Sequence, residues 1–100
     1  MKIVDTNILL DYPQIIEEEK DLLILTDVLK ELDGLKRSSN PETSFQARRA
    51  AVMISRNIEM LNFFSKLEKE NIPVDDKLIK VALTLNETLI TNDVYLKVRA

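Results

Sequence analysis

The chain contains no cysteine and no histidine among its 100 residues. Without cysteine there is no disulfide, no zinc–thiolate site and no thiol nucleophile. Without histidine, the common Ser-His-Asp and Cys-His hydrolase arrangements, metallopeptidase histidine pairs and most transition-metal sites are excluded as well. A single glycine and three prolines rule out collagen-like and Pro/Gly-rich disordered classes. Aromatic residues make up 5% of the chain, and the two tyrosines, Tyr12 and Tyr95, are too few to argue a base-stacking platform. No apolar run reaches the ~18 residues of a membrane span, and Met1 leads straight into a short strand-like segment, so no signal peptide is visible. The net charge of −3 gives no broad basic surface for nonspecific DNA binding. A soluble, cytoplasmic protein is expected.

What remains is 45% hydrophobic and 31% charged residues, a composition that suits one compact domain spanning residues 1–100 and leaves no room for a second. Chemistry must come from Asp, Glu, Lys, Ser, Thr and Tyr. Carboxylate oxygens are hard ligands and suit Mg²⁺ or Mn²⁺ best. Charge is unevenly spread: Glu17, Glu18, Glu19 and Asp21 form an acidic stretch, whereas Lys36, Arg37, Arg48, Arg49 and Arg56 make the middle of the chain basic. Such clusters are ordinarily solvated faces. If Lys36, Arg37, Arg48 and Arg49 line a cleft, they would instead contact phosphates.

The runs Lys2-Ile3-Val4 and Leu22-Leu23-Ile24-Leu25 read as buried strands. Between them, Thr6 to Tyr12 reads as a short helix stopped by Pro13. Thr26 is a suitable N-cap for a helix whose Val28, Leu29, Leu32 and Leu35 share a face, with Gly34 near its end. Residues 36–43 read as a loop around Asn40-Pro41, and a long helix is expected from near Ser44, breaking near Asn57. Ile58 to Phe63 is ambiguous between continued helix and short strand. Asp75 is placed to cap a helix carrying Leu78, Ile79, Ala82 and Leu85, and Thr88 to Thr91 reads as a further buried strand. The alternation predicts a three-layer α/β/α sandwich around a mostly parallel sheet of four or five strands.

Asp5 and Asp93 each sit at or near the carboxyl end of a predicted strand, where open α/β sheets place their ligands. Asp75 and Asp76 open a helix whose N-terminus would reach the same edge. Glu31 lies in the first turns of the helix after the second strand, roughly 60° around the axis from Val28. Taken singly, Asp5 and Asp75 could be helix caps, Glu31 a solvated residue and Asp93 a turn residue. Gathered together, they would repel and take up protons unless a divalent cation offsets their charge. The set therefore predicts a metal site.

Ile3-Val4-Asp5-Thr6-Asn7-Ile8-Leu9-Leu10 resembles the opening Asp-x-Asn motif of PIN domains. Leu29-Lys30-Glu31-Leu32-Asp33-Gly34-Leu35-Lys36 resembles the helix that carries the family's acidic residue. Asp75-Asp76-Lys77-Leu78-Ile79-Lys80-Val81-Ala82 resembles the third motif, and Thr91-Asn92-Asp93 the fourth, Thr-x-Asp. The four occur in family order across nearly the whole chain. The Glu31–Lys36 segment followed by the Ala47-Arg48-Arg49-Ala50 helix is similar to the PIN module attached to PhoH-type ATPases, although no Walker A motif is present.

The resemblance implies catalytic and metal-binding roles for Asp5, Glu31, Asp75 and Asp93. Asn7 would orient the first acid, and Thr91 would support the metal-bound water by hydrogen bonding. The alanine spacing selects Asp75 over the adjacent Asp76. It implies a Mg²⁺- or Mn²⁺-dependent endoribonuclease acting on nucleic acid, single-stranded RNA in particular. Pairing into a homodimer, or fusion to an ATPase or another domain, would leave the site chemistry unchanged. Two other classes fit less well. A noncatalytic PIN-like interaction or regulatory module has no need of a costly charge cluster. A phospho-accepting receiver domain would add a strand-end lysine opposite the acceptor, and no lysine occupies such a place directly after residues 88–91.

Overall fold

The computed structural model describes residues 1–91 of the chain. Four short strands, β1 (Lys2–Val4), β2 (Leu22–Leu25), β3 (Asn62–Phe64) and β4 (Thr88–Ile90), form one sheet in the order β3-β2-β1-β4. Every pairing in it is parallel. All four residues of β2 are buried, as a central parallel strand covered on both faces requires. Ile3, Leu22, Ile24 and Leu25 are inaccessible to solvent, and full burial of such a side chain contributes ~1.5–3 kcal/mol. The expected α/β architecture is found, with four strands among the described residues.

Helices connect the strands: α1 (Thr6–Asp11), α2 (Ile15–Glu18), α3 (Thr26–Leu35), α4 (Pro41–Arg56) and α5 (Val74–Leu85). The short α2, which buries Ile15 and Ile16, was not expected, because four residues give no readable period. Thr26 is the first helical residue of α3 rather than its cap, and its hydroxyl donates to the Phe64 carbonyl at 3.4 Å. The long helix starts at Pro41, three residues before the expected Ser44. There the Asn40 side chain accepts from the Glu42 and Thr43 amides at 2.9 and 3.3 Å, and Pro41 takes the first turn, where its missing N–H costs nothing. Asn40-Pro41 is thus a helix start. The expected break near Asn57 is present, followed by a turn of 3₁₀ helix (Ile58–Met60) and by β3.

The topology fixes where a ligand can sit. Parallel crossovers are right-handed almost without exception, so α1 to α4 follow the chain outward from β1 through β2 to β3. The return to β4, on the other side of β1, carries α5 to the opposite face. The strand order therefore reverses between β1 and β4, and their carboxyl ends flank the crevice where doubly wound sheets bind ligands. Residues at this point are Asp5, directly after β1, and Thr91, directly after β4. The Asp5 amide donates to the Ile90 carbonyl at 3.3 Å, holding the two strand ends together. Among the described residues, no helix is long and apolar enough to cross a membrane.

Candidate active site

Asp5 is buried at the head of α1. Its Oδ1 accepts from the Ile8 amide at 2.9 Å, which caps α1, and its Oδ2 accepts from the Thr91 hydroxyl, itself buried. The capping role and a site role coexist, because a carboxylate has lone pairs beyond those two bonds. Thr91 thus holds the Asp5 carboxylate directly. Asn7 is exposed and lines the adjoining cavity.

A cavity of about 390 Å³ opens at this edge of the sheet. Its walls include Asp5, Thr6, Asn7, Glu31, Thr43 and Asp75. Three of the four expected acids thus share one cleft. Asp75 lies in the first turn of α5, which Pro73 precedes without a side-chain cap, so Asp75 is not the helix cap. Its charge there is favourable toward the helix dipole. Of the adjacent pair, Asp75 and not Asp76 borders the cavity. Asp93 lies outside the described residues, and among the described residues no three acidic side chains stand close enough to grip an ion as they are placed. A cavity of about 420 Å³ flanks α5 and β4 but brings together no comparable set of acids.

Glu31 shows the electrostatic character of the cleft. Burial of its carboxyl group pushes its pKa above the ordinary 4.5, although the residue as a whole remains exposed. The Thr6 hydroxyl, donating to Oε1 at 2.9 Å, pulls the other way. The neighbouring charges of Asp75, Asp27 and Asp5 raise it further. Glu31 therefore keeps its proton in the folded state at pH values where the unfolded chain has lost it. Its contribution to stability is complete below about pH 4.5 and fades as pH rises through the higher folded value. Glu31→Gln, which can still accept from Thr6, is expected to raise the melting temperature of the metal-free protein at pH 7, with the gain vanishing near pH 4. Calorimetric melts at both pH values check this, and an unchanged melting temperature at pH 7 would mean that neither burial nor the neighbouring carboxylates burden the ionised Glu31.

The donor chemistry of the cleft fits a hard divalent cation. It offers carboxylate, hydroxyl and amide oxygens and no imidazole or thiolate. Burial first, and the charges of Asp75, Asp27 and Asp5 after it, disfavour an ionised Glu31, and a bound cation would offset both.

The four basic residues expected at a cleft are occupied locally. Asp33 pairs with Lys36 at 3.2 Å and with Arg37 at 3.3 Å on the outside of α3, and the hydrogen bond from Lys36 holds the exposed Asp33 carboxyl below its ordinary pKa. The Arg48 side chain donates to the Ser44 hydroxyl at 3.3 Å and to the Lys36 carbonyl at 3.5 Å. Arg49 donates to the Leu10 carbonyl at 3.1 Å and lies over the Phe45 ring, where it joins α4 to the end of α1. None of the four borders the acidic cavity, although Leu35 and Thr43, beside Lys36 and Ser44, do.

Sequence reading passed over three residues that shape the site. Thr6 binds Glu31, and a polar residue directly after Asp5 was the only local signal. Asp27 and Lys77 form a buried ion pair at 2.6 Å. The signal was Lys77 itself, a charge in the stripe formed by Val74, Leu78, Val81 and Ala82.

No curated protein matches the chain significantly. A family model described as PIN domain matches residues 2–100, and PIN domains are in general nucleases that act on nucleic acids with divalent metal. The parallel sheet, the acids at its switch point and this match together place the chain in the PIN-domain family.

Proposed function

We propose that this chain is a Mg²⁺- or Mn²⁺-dependent endoribonuclease that cleaves single-stranded RNA. The observation that carries the reading is the single cleft shared by Asp5, Glu31 and Asp75 at the reversal point of the sheet. Asp93 is assigned as the fourth acid on its position in the Thr91-Asn92-Asp93 motif. Thr91 and the Ile8 amide hold the Asp5 carboxylate in one orientation, and Thr6 does the same for Glu31. Such bonds restrict how far the two carboxylates must turn to close on a cation. Bound there, a divalent cation would neutralise phosphate charge and make water acidic enough to attack phosphorus at neutral pH. Asp5, buried and acceptor-only when ionised, is the group best placed to receive a proton or hold the ion.

RNA rather than DNA is favoured because no long insertion of the flap-endonuclease kind interrupts the four motifs between Asp5 and Asp93. The likeness to modules joined to PhoH-type ATPases, on Glu31–Lys36 and Arg48-Arg49, extends the reading to a cytoplasmic protein working beside such an ATPase. A homodimer would lengthen the groove, and Lys36, Arg37 and Arg48 are the residues that would meet phosphates beyond the acids.

Labelled single-stranded RNA and DNA, incubated with Mg²⁺, with Mn²⁺ and with chelator, test the reading. Metal-dependent cleavage of RNA ahead of DNA is the expected result. Absence of cleavage of either, with no Mn²⁺ binding by calorimetry, would reduce the protein to a noncatalytic interaction module.

A further inference from the structure

Asp27 and Lys77 are both buried, and the Lys77 ammonium lies 2.6 Å from Asp27 Oδ2. Asp27 Oδ1 is buried with no hydrogen-bond partner among the described residues. Removing two charges from water costs several kcal/mol per ion, and a single contact with one oxygen left over recovers that cost poorly. A pair so placed contributes little to stability as such.

Its location is more informative. Asp27 is in the first turn of α3, one turn before Glu31, and Lys77 is in the first turns of α5, two residues after Asp75. The crossover rule places α3 and α5 on opposite faces of the sheet, and direct packing between them is slight. The ion pair therefore bridges two helical layers over the carboxyl edge of the sheet, and each partner sits beside a cleft acid. The Asp27 charge is also felt by Glu31.

We propose that Asp27 and Lys77 are positioning residues for the metal site: their ion pair locks the start of α5 to the start of α3 and so sets the separation of Asp75 from Glu31. The proposal rests on the metal-dependent nuclease reading above, but it concerns ion affinity and can be read without cleavage. Neither residue borders the cavity. The pair acts through the backbones that carry the two acids.

The test is the double variant Asp27→Leu/Lys77→Met, which removes one charge of each sign and so leaves net charge unchanged. Apolar side chains of similar size in place of a buried pair are commonly neutral or stabilising, so the variant is expected to melt at or above the parent temperature in chelator. Mn²⁺ affinity, measured by calorimetry and by paramagnetic resonance of free Mn²⁺, is expected to fall tenfold or more. RNA cleavage should then need correspondingly more metal, with the maximal rate partly recovered at saturation. A double variant that folds and binds Mn²⁺ as tightly as the parent would overturn the positioning role while leaving the nuclease reading intact. A double variant that melts well below the parent would overturn it too, since the pair would then be a structural support. A parent that binds no Mn²⁺ would remove both readings together.

Discussion

Asp5→Asn is expected to leave the fold in place and to reduce metal-dependent RNA cleavage by more than about 100-fold, since loss of a group that merely supports a metal ligand already costs ~10–100-fold. The substitution separates two duties of one side chain. Asn caps helices as well as Asp does, so the bond from the Ile8 amide at 2.9 Å can persist and α1 should keep its start. The amide also retains an oxygen, but only one, and it carries no charge. Thr91, which donates to Asp5 Oδ2, must then turn its hydroxyl to accept from the amide nitrogen, and the hard anionic ligand is gone. Asp5→Ala provides the contrast, because it loses the cap as well and should cost ~0.5–2 kcal/mol of stability in addition. Cleavage rates with Mn²⁺ set beside thermal melts in chelator distinguish the two. Full activity in Asp5→Asn would remove Asp5 from the chemistry and leave it a helix cap.

Lys77→Met alone is expected to destabilise the protein by ~3–5 kcal/mol, because it strands the Asp27 carboxylate in the interior with no counter-charge. For a domain of this size that corresponds to a fall in melting temperature of well over about 10 °C. The companion measurement is Lys80→Met on the same helix. Lys80 pairs with Glu70 at 3.0 Å, but both side chains are roughly half exposed, and removal of such a pair changes stability by less than about 1 kcal/mol. Urea melts of the two variants should differ sharply even though each deletes one lysine from one salt bridge. Equal, small losses would mean that water reaches the Asp27–Lys77 pair.

Much of this arrangement was legible in the amino-acid sequence, for identifiable reasons. β1 and β2 are continuous apolar runs that each stop at a polar residue, so both the strands and the edge that carries Asp5 follow from local pattern. α3 and α5 carry their apolar residues at helical spacing, which puts Glu31 and Asp75 near the same edge once the sheet is taken as parallel. Choosing Asp75 over Asp76 turns on a rotation of ~100° about the helix axis, and the family motif pointed to the residue that lines the cleft.

The features that escaped are those set by tertiary contact. Thr26 looks like a cap but begins its helix, because its hydroxyl has a partner in β3. Asn40-Pro41 looks like a turn and is a helix start, since both readings use the same residues. The basic residues Lys36, Arg37, Arg48 and Arg49 were visible as a cluster, and the helical spacing of Asp33 to Lys36 and Arg37 and of Ser44 to Arg48 was there to be read, but nothing local relates Arg49 to the Leu10 carbonyl. Asp27 and Lys77 lie 50 positions apart, a separation at which no local pattern relates two charges.

The pairing of the first strand with the last described one has a further consequence for when the protein becomes active. Lys2 stands opposite Thr88, and the Thr91 hydroxyl reaches Asp5 across 86 positions of chain. Contacts of such long range are the slowest to form, because the intervening chain must be ordered before they contribute. A nascent chain emerging from the ribosome presents Asp5 early, but it has neither Asp75 nor Thr91 until most of the domain has been made. Asp5, Glu31 and Asp75 can share a cleft only after α5 and β4 have docked. A nuclease built this way has no complete cleft until the two ends of its described fold have met.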